Sequence, residues 1–200
     1  MSTPNDWNAL PSDLPVPEDD GSADHLTSYK LPEWITLPAT TGAERVNLFS
    51  VSLERPVLVF AYPRTGQPGI ANPEGWDEIP GARGCTPELC AVRDSITTLY
   101  SLAPNLAIFA LSSQDTAYQK EVAERLHLPY PILSDQDLAL TKALKLPTFD
   151  VSGEILIKRI TLLLNAGEVV GFNYPVFPSD EAAKKAELLL SGAFGARLDS

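Results

Sequence analysis

The chain has 200 residues, 44% of them hydrophobic, which suits a single domain with a normal core. Its longest apolar runs, such as Pro56–Tyr62 and Leu106–Ser112, are far too short to span a bilayer. A formal net charge of −11 repels phosphate backbones and anionic lipid heads, which argues against nucleic-acid and membrane partners. Two cysteines are few for a secreted disulfide scaffold of this size, and the first residues carry no basic patch followed by an apolar stretch. A cytoplasmic location with reduced thiols is therefore expected.

Residues 1–29 contain six acidic residues, no Lys or Arg, and Pro4, Pro11, Pro15 and Pro17. Such a segment buries too little apolar surface to offset its ordering entropy, so an extended or disordered tail is expected, with Trp7 and Leu10 able to dock it locally. The domain proper is read as 30–200. Glu33–Pro38 and Glu44–Phe49 predict an N-terminal β-hairpin around the turn at Thr41-Gly42. Pro56–Tyr62 is apolar throughout and predicts a central strand covered on both faces. Residues 63–84 are rich in Pro and Gly and predict a long loop, a feature often functional.

A helix follows, with Thr86 as cap, Pro87 at its first turn and Glu88 beside the positive dipole end, running to about Leu99 or Ser101. Then come a strand at Ala107–Leu111, a helix at Thr116–His127, a short strand at Pro129–Leu133 and a short helix at Asp137–Leu144. Arg159–Leu164 and Val169–Phe172 predict strands joined at Ala166-Gly167, and Ser179 can cap a last helix. Alternating β and α units that end in a hairpin and a helix predict an α/β fold, a mixed central sheet flanked by helices.

Cys85 sits where the long loop meets a helix. Unpaired N–H groups and the dipole there stabilise a thiolate and are expected to lower its pKa; Gly84 opens space and Arg83 adds a nearby cation. Cys90 lies five residues on. In an intact helix the two Cα atoms would stand roughly 8.6 Å apart, beyond the ~7 Å limit for a disulfide. Oxidation of Cys85 to a sulfenic acid would therefore have to precede unwinding of the first turn. Two ordinary buried cysteines remain an alternative. Zinc lacks companions, since His25 and His127 are the only histidines, and a thioredoxin-type dithiol would want Cys-x-x-Cys.

The run Gly84-Cys85-Thr86, Cys90 and Arg93-Asp94 resembles the active-site helix of peroxiredoxins of the bacterioferritin-comigratory (Q) type. Val57–Pro63, Leu133-Ser134-Asp135 and Lys158–Leu162 are similar to that family's other motifs, in order over much of the chain. The resemblance implies a thioredoxin-like fold and a thiol-dependent peroxidase acting on hydrogen peroxide or organic hydroperoxides. It implies Cys85 as the attacking cysteine, Cys90 as the resolving one, Pro63 as a shield of the thiolate and Arg159 as its holding cation. It further implies a thioredoxin- or glutaredoxin-like reductant, no metal or organic cofactor, and a monomer or homodimer. The family places a Thr three residues before the cysteine, but here Ala82 stands there, and 21 residues separate Pro63 from Cys85. Thr65 folding back is the first candidate for that hydroxyl, Thr86 the second.

Several side chains allow two readings. Trp76 and Ile79 in the inserted loop suit a lid or wall at Cys85 as well as a surface excursion. Glu88 and Arg93 suit a contact across the helix as well as a solvated face, and the solvated face is the expectation. Tyr62 and Tyr174 line a pocket or merely pack. Two other functions share these features: a thiol–disulfide oxidoreductase, and a non-enzymatic redox-sensing interaction module.

Overall fold

The computed structural model describes Leu10 and residues 13–194. Strand β3 (Val57–Ala61) is the middle of a five-stranded sheet of order β5-β4-β3-β8-β9. It runs parallel to β4 (Ala107–Ser112), which runs parallel to β5 (Ile132–Ser134); β8 (Ile160–Asn165) lies antiparallel on its other side, followed by antiparallel β9 (Glu168–Asn173). Every residue of β3 and β4 is buried, as the unbroken apolar runs predict for strands covered twice. Because side chains alternate, Val57, Val59 and Ala61 enter one core while Leu58, Phe60 and Tyr62 enter the other.

The first core is closed by α1 (Leu48–Glu54) and α5 (Ala139–Leu144). The second is closed by α2 (Cys85–Asp94), α3 (Ile96–Leu102), α4 (Thr116–Arg125) and α6 (Ala182–Phe194). Cys85 belongs to this second core, so the thiol rests against the centre of the sheet. Asp135 is buried and accepts from the Leu140 and Thr141 backbone N–H groups and from the Thr141 hydroxyl, which holds the start of α5.

Several expectations change in detail. The N-terminal hairpin is reduced to β1 (Leu37–Pro38) and β2 (Arg45–Val46). The expected strand Glu44–Phe49 stops because Asn47 caps α1, its side chain accepting from the Ser50 N–H at 2.9 Å. The expected single helix after the loop is two, α2 and α3, parted at Ser95. A hairpin of β6 (Thr148–Val151) and β7 (Glu154–Ile157) forms where no element was expected.

Of the stretch 1–29, residues 1–9 and 11–12, with Trp7, lie outside the described residues. Residues 14–20 are without regular structure, whereas Ala23 and Leu26 are buried in the first core. Residues 28–31 hydrogen-bond to the β8–β9 turn and the start of β9. The segment therefore joins the domain from about residue 23 onward. Upstream of that, Asp20 reaches Lys158 at 2.6 Å and accepts from the Tyr174 hydroxyl at 3.0 Å.

Candidate active site

Helix α2 begins at Cys85 itself, one residue earlier than the cap expected at Thr86. Gly84 precedes it with φ +102°, and a Cβ there would lie 2.1 Å from the Ser179 Oγ, so only glycine lets the chain turn into the helix against Ser179. Cys85 is therefore the first residue of a ten-residue helix, where backbone N–H groups lack intrahelical acceptors.

Arg159 stands just before β8 and is buried. Its Nη2 donates to the Cys85 Sγ at 3.3 Å and to the carbonyls of Gly81, Ala82 and Arg83 at 3.3, 3.5 and 3.1 Å. These carbonyls come from the end of the inserted loop, so one guanidinium ties β8, the loop and the start of α2 together. Its Nη1 pairs with Glu88, which is fully buried on the same helix face as the sulfur. The expectation of a solvated Glu88 is thereby corrected, because a carboxylate three residues after Cys85 points the same way as the thiol. Arg93 pairs instead with Asp94 at 2.8 Å and donates to the Leu126 carbonyl at 2.7 Å.

Burial pushes the Cys85 thiol up; Arg159 pulls it down, the Glu88 carboxylate adds to the rise, and the Arg64 backbone N–H favours the thiolate. The lowered pKa expected from the helix start alone does not hold in this closed site, since Cys85 is only 4% exposed. Burial likewise pushes Glu88 up to about 7, against the pull of Arg159.

Glu88 thus links stability to pH. The unfolded chain releases this proton near 4.5 and the folded chain near 7. Between those values the native state binds more protons, so its stability falls as pH rises and levels off above about 7. A gap of that size corresponds to roughly 3 kcal/mol. Glu88→Gln, which keeps an acceptor for Arg159, is expected to abolish this loss and to lower the Cys85 titration midpoint. Urea unfolding at pH 5 and 8, with thiolate absorbance against pH, checks both. An unchanged pH slope together with an unmoved thiol would contradict the coupling.

A cavity of about 20 Å³ is lined by Cys85, with room for roughly one water. Arg64, Thr65, Trp76, Arg83, Thr86 and Leu10 are among its lining residues. Pro63 is buried where β3 ends, directly before the lining residues Arg64 and Thr65. Thr65 folds back to the cavity; its Oγ1 donates to the Gln114 Oε1 at 3.1 Å, and its carbonyl accepts from Tyr118 at 2.8 Å. Trp76 is buried with Ala82, Val151 and Leu156 in a small third core, so the insert forms a wall of the site anchored on the β6–β7 hairpin. Tyr62 packs in the second core, and Tyr174 is half-buried against Ser22 and Asp20.

Cys90 is on the same helix, half-buried, and both thiols are free. Among the described residues no group of three or more His, Cys, Asp or Glu could hold a metal, and no helix is long and apolar enough to cross a membrane.

The fold matches that of peroxidoxin BcpB from Mycobacterium tuberculosis with a TM-score of 0.65 at 23% identity, covering 83% of this chain and 96% of that one. Sheet order and flanking helices define a thioredoxin-like α/β fold, with a thiol at the start of the helix after the central strand. The family model for Redoxin matches residues 27–189. The chloroplastic peroxiredoxin Q of Oryza sativa subsp. japonica is 28% identical over 171 residues, 74% of this chain and 70% of that protein. Peroxiredoxin bcp1 of Schizosaccharomyces pombe is 28% identical over 138 residues, 68% and 61% of the respective chains. The chain belongs to the Redoxin family and, within it, to the peroxiredoxins of the bacterioferritin-comigratory (Q) type.

Proposed function

We propose that Cys85 is the peroxidatic residue of this thiol-dependent peroxidase and Cys90 its resolving partner. The observation that carries the reading is the 3.3 Å contact from the Arg159 guanidinium to the Cys85 sulfur at the start of α2. The thiolate attacks the distal oxygen of ROOH, the O–O bond breaks, and the alkoxide or hydroxide leaves with a proton to give alcohol or water. Arg159 and backbone N–H groups carry charge shed onto the departing oxygen. Thr65, through its place in the cavity, supplies the hydroxyl that positions the peroxide, and Pro63 restricts water. Cys85 becomes a sulfenic acid.

The Cys90 thiol then condenses with that sulfenic acid, forming the disulfide and releasing water. A dithiol reductant of thioredoxin or glutaredoxin type restores both thiols by exchange. A reducing compartment such as the cytoplasm suits this resting state. The Cys-x-x-x-x-Cys spacing and the buried sulfur favour a small oxidant over a protein disulfide as substrate.

Stopped-flow mixing of the reduced chain with one equivalent of hydrogen peroxide tests the reading. A fast oxidation followed by a slower step, ending in an intramolecular Cys85–Cys90 disulfide by mass spectrometry, is the expected result. Slow oxidation, or a product linked between chains, would count against it.

A further inference from the structure

The cavity at Cys85 has an unusual charge. The chain carries 26 acidic and 15 basic residues, yet among the described residues this cavity is lined by Arg64 and Arg83 and by no Asp or Glu. Arg83 is engaged by Asp77 at 2.5 Å. Arg64 is placed differently. It also lines a second, larger space of about 500 Å³, whose walls include Gln114, Tyr118 and Glu154. Arg64 therefore borders both the small cavity at Cys85 and a polar groove with room for the body of a small molecule.

Its guanidinium is held but not saturated. The Cζ lies 5.9 Å from the Trp76 ring centroid, which holds the cation against the indole. The Nε is buried without a hydrogen-bond partner. Glu154 approaches Nη1 only to 3.7 Å, beyond hydrogen-bond range, and is itself 67% exposed on the β6–β7 hairpin. The Tyr118 hydroxyl lies against the same guanidinium. A guanidinium with its side chain 21% exposed and its nearest carboxylate beyond hydrogen-bond range gains from a carboxylate that meets its fork at about 2.8 Å.

We propose that Arg64 makes the enzyme selective for small hydroperoxides that carry a carboxylate a few bonds from the peroxide. The –OOH end enters the cavity at Cys85, the carboxylate pairs with Arg64, displacing the long contact to Glu154, and the body rests in the groove. The chemistry at Cys85 is unchanged. The role rests on the peroxidase reading above and adds a specificity determinant supplied by the insert.

The test is single-turnover oxidation of the reduced full-length protein by three oxidants: hydrogen peroxide, a short tertiary-alkyl hydroperoxide with a terminal carboxylate, and its methyl ester. The carboxylate is expected to react about tenfold faster than the ester at low salt, a typical gain for one charge-assisted contact. Added salt shrinks the ratio. Arg64→Gln brings it to near one and Arg64→Lys retains part of it. Equal rates for carboxylate and ester in the wild-type protein, with hydrogen peroxide reacting fast, would overturn the proposal; so would a ratio that survives Arg64→Gln. Slow reaction with all three oxidants would instead remove the peroxidase reading, and this proposal with it.

Discussion

Cys85→Ser is expected to remove the entire fast reaction with hydrogen peroxide, whereas Cys90→Ser should keep the first oxidation near the wild-type rate and stop before the disulfide. The two thiols differ in what surrounds them. Cys85 receives the Arg159 Nη2, has the free N–H groups of the α2 start and opens onto the small cavity. Cys90 lies in mid-helix; burial pushes its thiol up, and Arg93 only partly offsets this. A serine hydroxyl at position 85 stays protonated and cannot attack a peroxide oxygen. In Cys90→Ser the sulfenic acid has no neighbour to condense with, so it should be trapped by a sulfenate-selective reagent, or pass to the sulfinic acid with excess peroxide. The reversed pattern, a fast phase lost in Cys90→Ser and kept in Cys85→Ser, would exchange the two roles.

The proposed second step requires movement. Both cysteines sit in one continuous helix, with Cα atoms roughly 8.6 Å apart by ideal geometry, too far to bond. The Tyr130 hydroxyl donates to the Leu89 carbonyl at 2.7 Å, and Leu89 is fully buried. Unwinding between Cys85 and Cys90 must release that bond and the Glu88 N–H to Gly84 carbonyl bond at 3.0 Å. It must also release the Arg159–Glu88 pair, which closes the site in the reduced state. Oxidation of the sulfur alters the acceptor of the Arg159 Nη2 contact, and is expected to loosen one of the ties that keep the turn wound.

Much of this arrangement can be read from the chain. The apolar run Val57–Ala61 becomes the middle strand because nothing in it tolerates water, and the β–α alternation after it fixes the parallel half of the sheet. The thiol at a loop-to-helix junction marks itself by its position, and Arg159 is found through motif order. Other parts depend on contacts distant in sequence. Glu88 reads as a surface residue until Arg159, 71 residues away, meets it in the interior; its spacing from Cys85 was the available signal. Thr65 lines the cavity while bonded to Gln114 and Tyr118, 49 and 53 residues away in sequence, contacts that local pattern does not reveal. The β6–β7 hairpin had a readable cue in Ser152-Gly153, both at positive φ between Val151 and Glu154, as a tight two-residue turn requires. Asn47 likewise signalled the start of α1 by its capping chemistry.

Arg159→Met is expected to slow oxidation of Cys85 by about 10²–10³, the usual loss when one preorganised donor to a developing oxyanion is removed. Two effects combine. The cation that pulls the Cys85 thiol down is gone, so fewer molecules carry the thiolate at neutral pH. The departing oxygen also loses its fixed charge partner in a site closed to water. Raising the pH recovers the first loss but not the second, so a rate deficit that persists on the alkaline plateau separates them. Arg159→Lys restores a positive charge but not the fork that serves the sulfur, three carbonyls and Glu88 at once, and should fall between the two. Stability should respond less than rate, because an unpaired Glu88 can keep its proton at neutral pH instead of remaining a buried charge. Combining Arg159→Met with Glu88→Gln removes even that titration, and the doubly substituted chain should unfold in urea with little pH dependence from this site while staying slow with peroxide. A rate in Arg159→Met close to that of the wild-type protein would mean that the helix start alone activates Cys85, and that the guanidinium serves only to bind the inserted loop to the sheet.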